Sequence, residues 1–344
     1  MNQIISNTMR IKQLNVELVK SALIEMTYGT KLTVANATGL SVATCGNILN
    51  ELLENGEVIE VDTEQPNGGR PARRFTYNAN YCYVGCMYIG YENGVPKITY
   101  AVSNLIGEII EENSVILDSI DYGAIENLIV QLTEKYDMIK AIGIGVPAVV
   151  YEGIVVGDCD IRNLINFPLE KKLKARFPLE IVVENDMNLI AVGFYRKQNY
   201  DQDKNIAVIE FPKDKCIGSG IIIEGHIIKG NTNFAGEVSY LPFDITQEEQ
   251  LKRLDSEEGF LPLAVKTIVS VIAVINPDTI VLTGELVRSD MLEEISHECL
   301  KTIPKEHMPR IIIREDIYED YMNGLISVTI ESLTCDIQLV KKRI

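Results

Sequence analysis

Hydrophobic and polar positions change their period several times along the chain, and each change marks an element. Between residues 8 and 28, Leu14, Leu18, Leu23 and Met26 recur among polar residues at helical spacing, predicting an amphipathic helix that ends near Gly29. A short helix is expected from about Thr33 to Thr38, followed by a tight turn at Gly39-Leu40. Ser41 then caps a third helix, whose apolar face is Cys45, Ile48, Leu49, Leu52 and Leu53. Val58–Val61 and Arg73–Tyr77 read as strands around a turn at Pro66-Asn67-Gly68-Gly69. Three helices followed by a hairpin form the winged helix-turn-helix pattern, here assigned to residues 1–80.

Beyond Tyr81 the period shortens. Tyr83–Gly90, Lys97–Ser103 and the segment beginning at Ile106 predict a three-stranded meander. A helix over Tyr122–Tyr136 leads to a strand at Ala141–Gly145, and the whole order is strands, helix, strand, helix, strand. A second copy starts at Asn205–Phe211 and continues through residues 217–230. It is completed by the helix Leu263–Ile275, the strand Thr279–Thr283, the helix Ser289–Ile303 and the strand Ile311–Arg314. This repeat predicts an α/β fold of two ribonuclease H-like lobes, residues 81–200 and 201–344, in the actin-like ATPase and sugar kinase architecture, enclosing a cleft.

Residues 142–188 hold the candidate chemistry. Two apolar runs, Ile142–Val146 and Ile181–Val183, each end in polar loop residues, as buried strands do when they deliver groups to a ligand. Pro147 and Glu184-Asn185-Asp186 fall at those ends. Taken alone, Asn185 and Asp186 are better explained as caps of the helix that follows them. Asp158 and Asp160 precede Asn163 in a loop that reaches either the cleft or solvent.

Composition narrows the possibilities. The 344 residues are 46% hydrophobic and 24% charged, ordinary for globular domains. Seven scattered cysteines without a CxxC pair argue against a disulfide framework or structural zinc and fit a reducing cytoplasm. No basic-then-apolar leader is visible, and no run is expected to reach bilayer-spanning length, so a cytoplasmic protein without membrane contact is expected. The net charge of −17 should repel nucleic acid unless cations are grouped. Residues 1–80, however, hold seven Lys/Arg against eight Asp/Glu, and Arg70, Arg73 and Arg74 cluster at the hairpin. An arginine cluster on a hairpin tip suits a minor groove, and Ser41, Thr44 and Asn47 on the third helix suit base or phosphate contacts. The competing explanation is solvated loop charge on a protein-interaction module, and the third helix carries no Lys or Arg. The order of elements together with the arginine cluster favours DNA as the partner.

Several motifs together carry a family resemblance. They are Gly143-Ile144-Gly145-Val146-Pro147, Asn163, Val183-Glu184-Asn185-Asp186, Lys229-Gly230 through Phe234-Ala235-Gly236-Glu237, and Asn276-Pro277-Asp278-Thr279-Ile280-Val281-Leu282. In this order, and after Gly69-Arg70-Pro71, they resemble the ROK family of repressors, open reading frames and kinases, in its repressor branch. The resemblance implies that Asn163, Asn185, Asp186 and Glu237 bind a sugar's hydroxyls. It also implies that Asp186 occupies the position of the kinase base.

Three departures change what is expected. Met87-Tyr88-Ile89-Gly90-Tyr91 stands where the family has a small-residue phosphate loop, and Cys216 replaces a glycine in Lys215–Gly220. Tyr240 replaces the zinc-site histidine, and residues 241–259 contain neither Cys nor His, so no metal and no cofactor are expected. The expectation is a DNA-binding regulator, a homodimer or higher homo-oligomer, that senses a sugar or sugar phosphate with a vestigial Asp186. The alternatives are an ATP-dependent sugar kinase with an added amino-terminal domain, or a regulator acting through protein partners.

Overall fold

The computed structural model describes residues 2–61, 72–156, 161–198, 200 and 202–333. The amino-terminal head consists of α1 (Asn2–Met26), α2 (Lys31–Thr38), α3 (Val42–Glu54) and the antiparallel pair β1 (Val58–Val61) and β2 (Arg74–Tyr77). Thr30 and Thr33 form a reciprocal capping box that starts α2, and Ser41 Oγ accepts the Thr44 N–H to start α3. On α1 the fully buried residues are Val19 and Leu23, whereas Leu14 and Leu18 remain partly exposed. The inward stripe is therefore rotated from the one read in the sequence. Val19, Leu23, Val34, Cys45, Leu49 and Phe75 form the core, and Gly29 bridges to Phe75 to tie the wing to the α1–α2 corner. The turn at residues 66–69 and Arg70 lie outside the described residues.

Two sheets follow with one topology. The first comprises β3 (Tyr83–Glu92), β4 (Val95–Asn104), β5 (Ile109–Ile116), β6 (Ile139–Val146) and β9 (Glu180–Asn185), in the order β5-β4-β3-β6-β9. Its connections are α4 (Tyr122–Lys135), the small hairpin β7 (Val149–Tyr151) and β8 (Ile154–Val156), and α5 (Leu169–Arg176). Helix α6 (Asp186–Lys197) leads out of β9. The second sheet contains β10 (Ile206–Glu210), β11 (Gly218–Ile223), β12 (His226–Ile227), β13 (Thr279–Thr283) and β14 (Arg310–Ile313), ordered β12-β11-β10-β13-β14. Its helices are α7 (Gln247–Leu254), α8 (Glu257–Ile275) and α9 (Leu292–Leu300). In both sheets an antiparallel meander joins two parallel strands, the repeat expected from the sequence.

A final helix, α10 (Tyr318–Ser332), is absent from the sequence expectation. It packs with α6 between the two sheets, where Leu189, Phe194, Tyr321 and Leu325 meet Val84, Cys86, Ile206 and Val208. Burying each of these large side chains contributes about 2 kcal/mol. The helices touch backbone to backbone: a Cβ on Gly193 would overlap the Asp320 carbonyl, and one on Gly324 the Leu189 carbonyl.

Helix α8 corrects a second expectation. Its stretch Glu258–Ile275 has the length and composition to cross a bilayer, with mean hydropathy 1.9. In the fold its inward residues Leu263, Ala264, Ile268, Val271 and Ile272 pack on the second sheet. Lys266 Nζ on the same helix donates to the Pro242 carbonyl at 3.0 Å.

Candidate functional site

On the head, the candidate residues divide by what they already hold. Ser41 Oγ accepts from Thr44 N–H at 3.0 Å and lies 2.8 Å from Thr44 Oγ1, so both hydroxyls serve the start of α3. Asn47 is exposed on the same helix. Arg73 reaches across the wing to Glu60 at 3.3 Å, and the Arg74 guanidinium sits 4.8 Å above the Tyr28 ring. The sequence reading missed Lys31. Its side chain lies along Gly46 of α3 and its Nζ donates to Asn50 Oδ1 at 3.3 Å, bringing a cation to a helix that has none.

In the cleft, β9 ends at the residues that organise its floor. Asn185 Oδ1 caps α6 by accepting from Asn188 N–H at 3.1 Å, and its Nδ2 donates to the Ala148 carbonyl at 3.0 Å. The capping explanation thus holds for Asn185, and its amide also fixes the loop after β6. Glu184 is nearly buried; it accepts from Asn185 N–H and Asn188 Nδ2, and it pairs with Lys229 of the second lobe. Asn233 adds a second tie, donating to the Val150 carbonyl at 2.6 Å.

Asp186 is the first residue of α6, and its Oδ1 accepts from Met187 N–H at 2.7 Å. Burial, then the nearby Glu210, pushes its carboxyl up to about 8. Lys215 opposes that shift and Glu237 adds to it, so these residues surround Asp186. Glu210 ends β10; burial, then Glu285, raises its carboxyl to about 7. Burial also raises Glu237. Glu237 follows Gly236, whose φ of 97° and close approach to the Ser219 carbonyl exclude a side chain there. Asn163 is exposed, and its Nδ2 donates to the Ile120 carbonyl at 3.2 Å. Asp158 and Asp160 lie outside the described residues.

The segment at the position of the family's first phosphate loop is regular strand. The β3–β4 ladder continues to Glu92, with Tyr91 opposite Pro96, so the backbone at Gly90 remains strand. Tyr88 packs against Tyr321 with ring centroids 4.4 Å apart, and a Cβ on Gly145 would overlap the Tyr321 hydroxyl. Tyr240 is 60% exposed and stands edge-on to Phe234, and among the described residues no group of three His, Cys, Asp or Glu could hold a metal. Residues 247–254 form α7 instead, carrying the pairs Lys252–Glu248 and Arg253–Glu249.

The xylose repressor of Caldicellulosiruptor bescii is 29% identical over 241 residues, covering 67% of this chain and 59% of the relative. The glucokinase of Halalkalibacterium halodurans is 28% identical over 171 residues, covering 45% of this chain and 49% of that one. The chain therefore spans about half to three-fifths of the length of these curated relatives. The crystal structure of a ROK family transcriptional regulator, a homolog of the E. coli MLC protein, superposes with TM-score 0.72 at 17% identity, covering 94% of this chain and 98% of that one. That structure shares the fold from head to cleft. Residues 88–253 match the ROK family profile, and the chain carries a ROK family domain.

Proposed function

We propose that this protein is a cytoplasmic, sugar-responsive DNA-binding repressor whose two-lobed part senses a sugar or sugar phosphate without phosphorylating it. The carrying observation is the combination of a winged helix-turn-helix head with a two-lobed, sugar-kinase-like fold in which Tyr88, Tyr91 and Cys216 stand at the positions matched to the family's phosphate loops. The similarity to xylose repressors supports a sugar effector. In this reading residues 1–80 bind DNA through Asn47, Arg70, Arg73, Arg74 and Lys31, with Ser41 and Thr44 shaping the start of the recognition helix. Asn163, Asn185, Asp186 and Glu237 bind sugar hydroxyls between lobes 81–200 and 201–344. A homodimer would present two heads, and an effector that prefers one opening of the cleft would change their spacing.

The kinase reading rests on Asp186. Its carboxyl, raised to about 8 by burial and then by Glu210, lies near the working pH, which suits a general base as well as a partner for a sugar hydroxyl. Selection of genomic fragments by the full chain, followed by release with a sugar panel, tests the repressor reading. Specific, salt-sensitive binding relieved by one sugar is expected. Sugar-dependent ATP turnover without fragment enrichment would overturn it.

A further inference from the structure

Strand β9 forms one edge of the first sheet. It pairs only with β6, and among the described residues no backbone group of residues 180–184 finds a backbone partner elsewhere. A groove of about 580 Å³ runs beside it, lined by all five of these consecutive residues. Successive side chains of a strand point to opposite faces, so a space that touches each of them lies against the backbone edge rather than against one face. The other walls include Val150, Glu152 and Gly153 of the β7–β8 hairpin, and Lys229 and Asn233 of the second lobe. Asn163, Asn185, Asp186 and Glu237 do not border this groove, which is separate from the candidate sugar position.

Ser332, the last residue of α10, also lines the groove. Helix α10 runs opposite to β9: its Tyr321 meets Gly145 and its Thr329 meets Gly143, which stand opposite Glu184 and Val182 in the β6–β9 ladder. The chain therefore leaves α10 beside the start of β9. Residues 334–344, which lie outside the described residues, come next and read Thr334-Cys335-Asp336-Ile337-Gln338-Leu339-Val340-Lys341-Lys342-Arg343-Ile344. Asp336 to Leu339 alternates polar and apolar residues, as a half-buried strand does. Fully extended, this segment reaches about 36 Å, well beyond the length of about 20 Å that β9 occupies. Charge agrees as well. The groove carries Glu152, Glu170, Glu180 and Glu184 against Lys174 and Lys229, and those lysines are already paired with Glu170 and Glu184. The segment carries Lys341, Lys342 and Arg343 against Asp336, an excess of cations suited to Glu152 and Glu180. We propose that residues 334–344 dock in this groove as an added strand parallel to β9. An edge strand offers its unpaired N–H and C=O groups to such an addition, and the flanking walls receive alternate side chains. A strand seated there touches both lobes and straps them together. The proposal is independent of what the cleft or the head binds.

Two measurements on the full-length chain test it. Leu339→Pro removes a donor and cannot sit in a paired strand, so hydrogen exchange of the amides in residues 180–184 should become about tenfold faster, with β3 and β4 unchanged. Exchange in β9 unaltered by the proline would overturn the proposal. In the second measurement the photo-reactive residue p-benzoylphenylalanine replaces Leu339. Cross-links within one chain to residues 150–153 or 180–184 are expected. Cross-links at those residues that join two chains would give the groove to a second copy's segment and overturn the assignment to the chain's own. Cross-links to other surfaces alone would overturn the docking altogether.

Discussion

Glu184 on β9 of the first lobe pairs with Lys229 on the loop after β12 of the second, so one ion pair spans the cleft. The glutamate side chain is 7% exposed and the lysine 39%, which makes the carboxylate the member that depends on its partner. Lys229→Met should destabilise the protein by about 1–3 kcal/mol, less than for a fully buried pair because the lysine is partly solvated. Urea unfolding measures this. Adding Glu184→Gln should recover part of the loss, since an amide needs no counter-charge; a double variant no better than the single would argue against this electrostatic account.

The contact between α6 and α10 makes a sharper prediction. Gly193→Ala or Gly324→Ala drives a methyl group into a backbone carbonyl of the facing helix, and backbone yields less readily than a side-chain end. Each should cost about 3 kcal/mol or more, lowering the melting temperature by several degrees or preventing folding. Gly123→Ala at the start of α4 is the control. Its added methyl meets only Asp121 Oδ1 at 3.4 Å and should change stability by no more than about 1 kcal/mol.

Asp186 and Glu210 set a pH dependence. Their carboxyls rise from 3.8 to about 8 and from 4.5 to about 7. The folded state therefore binds more protons than the unfolded state between about pH 4 and 8. Their contribution to stability is complete below the unfolded values and is lost as pH rises through the folded ones. The charged groups facing them are Lys215, Glu237 and Glu285, and the phenols of Tyr88 and Tyr321 complete the surroundings. Thermal unfolding should show stability falling from pH 6 to 8.5. Asp186→Asn should flatten that slope, and an unchanged slope would locate the protons elsewhere.

On the head, recognition and folding should separate. Ser41→Ala removes a cap and should cost about 1 kcal/mol, seen as faster hydrogen exchange in α3 of the full chain. Arg73→Ala should leave that exchange unchanged and lower the salt slope of DNA binding by about 1. Weaker protection of α3 in the arginine variant would show instead that the Arg73–Glu60 pair supports the fold.

What could be read from the chain follows where each element is buried. Helices such as α3 and α4 bury one stripe, and strands β3, β6 and β13 are apolar runs, so local period reveals them. Helix α10 buries the polar or small residues Asp320, Gly324 and Thr329 on the same face as Tyr321 and Leu325, so that face does not read as an apolar stripe. The β7–β8 hairpin offered only three-residue strands around Glu152-Gly153. Asn185 was legible both as a cap and as a residue of the cleft floor, because its two amide atoms serve different neighbours. Glu210 carried no local signal, since its neighbours Glu285 and Asp186 reach it through sheet pairing and lobe closure. Ser41 was legible both as the cap of α3 and as an outward-facing group, and its hydroxyl accepts the Thr44 N–H while the residue stays exposed.

The position of α10 also governs the order in which the molecule can assemble. The face of the first sheet carrying Val84, Cys86 and Ala141 is covered by residues 321–326, which emerge from the ribosome long after β9 at residues 180–185. A nascent first lobe therefore carries bare apolar surface throughout synthesis of the second lobe, the state in which chaperone capture and aggregation compete with folding. Completion of the fold therefore depends on a late, long-range closure, the kind of contact that forms slowly.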